Sequence, residues 1–373
     1  MVNINPFLLS GYTTPTCFCD RDIETNYIIS ALSNNRNITL ASIRRLGKTG
    51  LIKHVFYHLK DTSFRLIYLD ILSTQSLPEL IRMLGNAIVV DEKAHSKDYL
   101  KKLAKLISGI KARLVFDNLT GNPVLEIGYS SPQEAEMSIG QIFAYLGSQK
   151  AKYIIAIDEF QQITGYPEKN VEAVLRSHIQ HLTNVSFLYS GSNKHILTSM
   201  FSDYGRPFYQ STDFLQLKRI DRDIYADFIV RKFAENKRKI NREDVLDVID
   251  YYDTYTLYVQ SYFNRLFATN EKNITLQLIE TIKTTILEER EYIFYSYRSL
   301  LTNSQFCLLR AIAKEGEIAQ PTSKQFMKKH GLAQPSSVIR SLKALLDKEM
   351  VYQEDNTAYK VYDVFFAKWL ERE

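Results

Sequence analysis

The sequence predicts an α/β fold, with a parallel central sheet in roughly its first 220 residues, an all-helical segment after it, and a small module of three helices and a hairpin at the end. Three observations carry that expectation. Short buried-type strands, 37–41 and 65–70 among them, alternate with amphipathic helices. The first of these strands runs straight into a loop, Ser42-Ile43-Arg44-Arg45-Leu46-Gly47-Lys48-Thr49, that opens the next helix. After Asp221 the strand pattern stops and apolar residues recur at helical spacing.

Each element follows from its own pattern. Ile23, Tyr27, Ile28 and Leu32 predict a helix over 22–32 that feeds the strand 37–41, and Leu51, Ile52, Val55, Phe56 and Leu59 mark the helix after the loop. Strand 65–70 leads to a helix from about Ser76. Residues 95–150 interrupt the alternation with a lysine-rich helix, then two strands, 112–116 and 124–127, around the turn Asn118-Leu119-Thr120-Gly121-Asn122; this reads as a hairpin insertion near 95–135. The sheet resumes at 153–157, 185–189 and 214–217. In the helical segment, 221–297, Tyr251, Tyr252, Tyr255, Tyr258, Tyr262 and Phe263 read as a packed core rather than an aromatic cofactor box. The last module, 298–373, has helices near 302–314, 322–330 and 335–348, then Met350-Val351-Tyr352 and Tyr359-Lys360-Val361-Tyr362 around Glu354-Asp355-Asn356, the pattern of a winged helix.

Composition narrows the functional classes. At 373 residues, 45% hydrophobic and 12% aromatic, the chain buries real cores, which excludes disorder and small disulfide scaffolds and suggests two or three domains. A balance of 47 Lys and Arg against 42 Asp and Glu is too slight to imply a polyanion partner by itself. No apolar run is long enough to span a membrane, and the start lacks a basic stretch before a long apolar one, so a cytoplasmic protein without membrane insertion is expected. Cys17, Cys19 and Cys307 read as reduced thiols, since Cys17-x-Cys19 has no second metal half-site. The pairs His54/His58 and His178/His181 have no third ligand beside them, and neither a G-x-S-x-G elbow nor a kinase motif set occurs.

The loop carries the chemistry. Ser42-x-x-x-x-Gly47-Lys48-Thr49 fits a phosphate loop except at its first position. Backbone N–H groups must wrap a polyanion, Lys48 must reach the outer phosphates and the Thr49 hydroxyl must face Mg²⁺, so Ser42, Arg44, Arg45, Leu46, Gly47, Lys48, Thr49 and Gly50 are the expected nucleotide-binding residues. If the turn needs a positive φ at Ser42, serine there costs about 1 kcal/mol and Ser42→Gly would relieve it. Downstream, Tyr153-Ile154-Ile155-Ala156-Ile157-Asp158-Glu159 delivers two carboxylates at a strand end: Asp158 to hold the metal, Glu159 to activate water. Ser190-Gly191-Ser192-Asn193 ends another strand, where Ser190 or Asn193 senses the γ-phosphate or the attacking water, or else the segment is a turn or helix cap. Arg206 either reaches a phosphate, in the same or a neighbouring subunit, or is a surface arginine.

Together these features resemble the archaeal-type ATPase family, AAA-like members of the signal-transduction ATPases with numerous domains, found in bacteria as well as archaea. The resemblance is carried by Asn5-Pro6-Phe7, Phe18-Cys19-Asp20-Arg21, Arg44-Arg45-Leu46-Gly47-Lys48-Thr49, Ile157-Asp158-Glu159-Phe160-Gln161, Ser190-Gly191-Ser192 and Tyr258-Val259-Gln260. It implies an additional-strand P-loop ATPase core, a helical lid and a winged helix, with Phe18 and Arg21 near adenine, Lys48 on phosphate, Thr49 and Asp158 serving Mg²⁺, and Glu159 activating water. The chain departs from the pattern at Ser42, where glycine is usual, and at Tyr255-Thr256-Leu257, which stands where Gly-His-Pro is common.

The functional expectation is a slow Mg²⁺-dependent ATPase that binds ATP or ADP and works as a molecular switch. Two alternatives stand beside it: a scaffold that holds nucleotide without hydrolysis and engages a protein partner, and a regulator of double-stranded DNA. Residues 296–373 carry 12 Lys and Arg against 9 Asp and Glu. In the third helix of this module Val338, Leu342, Leu345 and Leu346 face the core, leaving Ser336, Ser337, Arg340 and Lys343 outward, with Lys324, Lys328 and Lys329 nearby as phosphate contacts. The same helix can instead pack on a protein.

Overall fold

In the computed structural model, which describes residues 5–108, 112–116, 123–128, 131–354 and 357–373, the chain divides into two units, Ser10–Arg219, and Ile220–Glu373 with the start of the chain up to Leu9. The strands of the first unit are β1 (Ile38–Ala41), β2 (Phe64–Asp70), β3 (Ala112–Phe116), β4 (Pro123–Ile127), β5 (Lys152–Asp158), β6 (Val185–Gly191) and β7 (Asp213–Gln216). Five of them form one sheet in the order β2-β5-β6-β1-β7, every pairing parallel. Every residue of β1 and β6 is buried, whereas the edge strands β2 and β7 alternate between more and less buried positions. That is the signature of a parallel sheet whose inner strands are covered on both faces. The phosphate-type loop leaves β1, between β6 and β7, and enters the helix Lys48–Leu59, as the sequence pattern predicts.

After the helix Leu77–His95, the insertion contains the helix Tyr99–Ser108 and the antiparallel pair β3 and β4, in register Ala112 with Ile127. The expected turn at 118–122 lies outside the described residues. A buried ionic cluster ties this region to the sheet. Arg65 of β2 donates to Glu92 at 2.7 Å and to the Tyr153 hydroxyl at 2.8 Å and pairs with Asp91 at 2.9 Å, while Lys102 donates to Glu92 at 3.1 Å. Burial pushes the Glu92 carboxyl up, but the hydrogen bonds from Arg65 and Lys102 win and hold it below the usual range.

In the second unit the helices Arg222–Glu235, Arg242–Tyr251, Thr256–Ala268, Leu276–Glu288 and Glu291–Ser299 enclose an aromatic core in which Tyr252, Tyr258, Tyr262 and Phe263 are wholly buried. Phe7 joins this core, its ring 5.7 Å from those of Phe233 and Phe263, and Asn5 and Asn264 exchange side-chain hydrogen bonds with each other's neighbourhood, Asn5 Nδ2 to Asn264 O and Asn264 Nδ2 to Phe7 O. Burial of one large aromatic thus draws residues 5–7 here, although sequence order alone groups them with residues up to 220. The terminal module has the helices Asn303–Glu315, Lys324–Lys329 and Pro335–Asp347, the hairpin β8 (Val351–Glu354) and β9 (Ala358–Val361), and a further helix, Val364–Arg372. The wing turn at 355–356 lies outside the described residues.

Candidate functional site

The C-terminal ends of β1, β5 and β6 lie side by side, with Ala41 opposite Gly191 and Ile157 opposite Tyr189. In a parallel sheet these ends form the crevice where ligands bind. The loop from β1 makes its turn through left-handed backbone at Arg45 (φ 74°) and Gly47 (φ 93°). Ser42 is not among the positive-φ residues, so the strain expected there falls on Arg45 instead, an L-residue cost of roughly 1 kcal/mol. The Ser42 hydroxyl is occupied: it donates to Ile43 O at 2.8 Å and accepts from Lys48 Nζ at 3.1 Å.

Lys48 is 6% exposed and folds back over the loop, its ammonium also donating to Ser42 O at 3.3 Å and Ile43 O at 3.4 Å. Burial lowers its pKa from 10.5 to about 8, against the opposing pull of Glu159 and Asp158. Thr49, at the first turn of the helix, donates to Asp158 Oδ2 at 2.7 Å. The same carboxylate oxygen accepts from the Tyr68 hydroxyl at 3.0 Å, and Oδ1 accepts from Glu159 N at 3.1 Å. Two hard oxygen donors from separate elements, Thr49 and Asp158, meet the requirement of Mg²⁺, which takes few protein ligands and leaves its remaining positions to phosphate and water.

Glu159 sits at φ 58°. Its Oε2 accepts three hydrogen bonds, from Gln161 Nε2 at 2.5 Å, Ser192 Oγ at 2.7 Å and Ser192 N at 3.1 Å. Arg44 of the loop donates through Nε to the Ser192 hydroxyl at 3.1 Å, so a continuous chain links the phosphate loop to the candidate base. A Cβ at Gly191 would fall inside contact distance of Gln161 Oε1, which explains the glycine between two serines.

The structure brings Ser192, rather than Ser190, to Glu159: Ser190 lies wholly buried in β6 with its hydroxyl unpaired. Asn193 caps the helix Lys194–Ser202, accepting from Ile196 N at 3.1 Å. Arg206 pairs with Glu172 at 2.6 Å, not with the loop or the two carboxylates. Phe18 stacks on His54, centroids 4.3 Å apart, and flanks Gly50, whose added Cβ would lie 3.4 Å from its ring. Arg21, buried at φ 80°, is held by Glu24 at 2.8 Å and Lys218 O at 2.7 Å. Tyr12 bonds His54 Nδ1 at 2.7 Å, and burial takes the His54 pKa from 6.5 to about 4, leaving a neutral imidazole. Among the described residues no three His, Cys, Asp or Glu side chains converge to hold a metal on their own, and no helix is long and apolar enough to cross a membrane.

Residues 18–260 match a sequence family described as an ATPase domain predominantly from Archaea, and residues 292–372 match one described as a probable winged helix domain. Solved structures of similar fold include the Walker-type ATPase PABY2304 of Pyrococcus abyssi, 19% identical over 98% of this chain and 99% of that one, with a TM-score of 0.62. The ORC2 protein of Aeropyrum pernix, solved with ADPNP and ADP, is 14% identical over 100% of this chain and 96% of its own, with a TM-score of 0.61. The ORC1 protein of the same organism, solved in complex with DNA, is 12% identical over 96% and 93%, with a TM-score of 0.52. No curated protein matches the sequence.

Proposed function

Because this chain belongs to the family of ATPase domains found predominantly in Archaea, we propose that it is a cytoplasmic Mg²⁺-dependent ATPase of slow turnover, a molecular switch governed by whether ATP or ADP is bound. The observation that carries this reading is the 2.7 Å hydrogen bond between Thr49 and Asp158, which joins the helix after the phosphate loop to the carboxylate at the end of β5. These two residues would hold Mg²⁺, which neutralises phosphate charge. Lys48 trades its carbonyl partners for the outer phosphates. Glu159 activates water through Oε2 once that oxygen is released from the three hydrogen bonds it accepts. Slow turnover follows from Arg206 being committed to Glu172, because an arginine on the transferring phosphoryl is worth about 10³–10⁵ in rate.

The test is nucleotide binding and turnover with Mg²⁺, comparing wild type with Glu159→Gln. Both should bind ATP and only wild type should release phosphate. Binding without turnover in wild type would leave the nucleotide-held scaffold.

A second reading, duplex DNA binding through the winged helix, is favoured by one observation. Lys324, Lys328, Arg340 and Lys343 are exposed and, among the described residues, have no ion-pair partner, whereas Lys329 is bound to Glu315. ORC1, of the same fold, was solved bound to DNA. On this reading affinity for duplex falls steeply with salt, and Arg340→Ala weakens it by roughly 1–3 kcal/mol if a base edge is read. No retardation of duplex at low salt, with or without ATP, would leave a protein partner for this face.

A further inference from the structure

The sequence marks Thr49 and Asp158 for the metal, but the structure adds a third residue to that pair. Tyr68 is the fifth residue of β2, directly opposite Ala156 of β5, two positions before Asp158. Its side chain therefore leaves the sheet on the same face as Asp158, and its hydroxyl donates to Asp158 Oδ2 at 3.0 Å. Among the described residues the hydrogen-bond partners of the Asp158 carboxylate are all donors: Thr49 and Tyr68 on Oδ2, and Glu159 N on Oδ1. Thr49 must turn a lone pair to the metal when it binds, so of the two side-chain donors only Tyr68 is free to keep the carboxylate in one orientation. Lys53, from the helix Lys48–Leu59, lies over the Tyr68 ring with Nζ 5.6 Å from its centre, which sets a cation against the ring face.

We infer that Tyr68 is a positioning residue for the divalent cation of the nucleotide complex, fixing the Asp158 carboxylate in the orientation that the metal and its water require. The inference rests on the Mg²⁺–nucleotide reading of the site. Loss of an outer hydrogen bond of this kind typically lowers metal affinity about 10-fold or more. The phenylalanine variant is the clean probe, because it removes the hydroxyl and leaves the ring beneath Lys53.

The experiment titrates Mg²⁺, and Mn²⁺ followed by electron paramagnetic resonance, into the ADP complexes of wild type and Tyr68→Phe, after measuring ADP affinity in EDTA. Tyr68→Phe should bind metal-free ADP as wild type does and need roughly 10-fold more divalent cation for half-saturation. An unchanged metal midpoint overturns the inference. So does a loss of metal-free ADP affinity equal to the metal effect, which would mean that Tyr68 only shapes the loop. Tyr68→Leu, which also frees Lys53, should shift the midpoint at least as far, and a wild-type midpoint in Leu but not Phe would assign the effect to the ring and overturn the role of the hydroxyl. If wild type binds ADP with no dependence on divalent cation, the Mg²⁺ reading of the whole site fails, and this inference fails with it.

Discussion

Gly191→Ala separates the hold on Glu159 from the fold around it. An added Cβ would fall inside contact distance of Gln161 Oε1 and lie 3.1 Å from Gln161 Cδ, so the amide has to retreat. Those atoms are the far end of a flexible side chain, and Oε1 has no partner to lose. The bond that breaks is the 2.5 Å donation from Gln161 Nε2 to Glu159 Oε2. A hydrogen bond to a charged group contributes about 1.5–3 kcal/mol, which corresponds to roughly 10- to 150-fold more of the released carboxylate. Basal ATP turnover should rise by up to that factor, while thermal denaturation shows a loss of about 1.5–3 kcal/mol from the same interaction. Gln161→Ala deletes the same bond without the added methyl and should match it, and the double variant should add nothing further because both act on one interaction. Single-turnover hydrolysis with Mg²⁺ reads the effect. Unchanged or lower turnover in both folded single variants would refute the reasoning, showing that Gln161 places Glu159 productively or plays no part.

Three other outcomes follow from the same geometry. Lys48→Ala should abolish nucleotide binding in a fluorescent-nucleotide titration and keep its circular dichroism, since the ammonium's partners are carbonyls and a hydroxyl of one loop. Ser42→Gly should bind nucleotide as well as wild type or up to about ten-fold more tightly, because it removes a hydroxyl that holds Lys48 back on the loop, an interaction of about 0.5–1.5 kcal/mol. Arg65→Met should cost about 3–5 kcal/mol in urea unfolding by leaving the buried Glu92 to Lys102 and taking the guanidinium from the buried Asp91. It should also flatten the acid limb: with its folded pKa below the unfolded 4.5, Glu92 stabilises the wild type above that value, and the contribution is lost as pH falls through the folded pKa.

Much of the architecture could be read from local pattern, because the signals concerned are local. Leu51, Ile52, Val55 and Leu59 make a helix whose buried face follows from spacing alone, and Ile154 to Ile157 make a strand buried on both faces. Asp158 and Thr49 were legible as a pair only through their chemistry, since 109 positions separate them and nothing in either segment encodes the 2.7 Å contact. The partners of that pair were not legible. Tyr68 reads as one more β-favouring residue in a strand, and its role depends on which strand lies beside β5, a matter of sheet order that no segment specifies. Ser190 and Ser192 look alike in sequence; only the end of β6 after Gly191 decides that one is sealed in the sheet and the other meets Glu159. Phe7 carried no signal for its destination, because apolar burial has no direction along the chain.

The site's two carboxylates show how adjacent side chains come to different places. Asp158 is the last residue of β5, so its side chain obeys the alternation of the sheet and reaches Thr49 and Tyr68. An ideal strand would send the next side chain to the opposite face. Instead the backbone turns left-handed at Glu159, φ 58°, and the carboxylate swings to the end of β6, where Ser192 and Gln161 take it. For a residue with a Cβ this conformation costs about 1 kcal/mol or more, and Arg45 in the phosphate loop bears the same penalty at φ 74°. Glycine would remove both costs and with them the two side chains. Strain kept at Glu159 and Arg45, with Arg44 joined to Glu159 through Ser192, is what a site needs if phosphate in the loop is to alter the hold on the base.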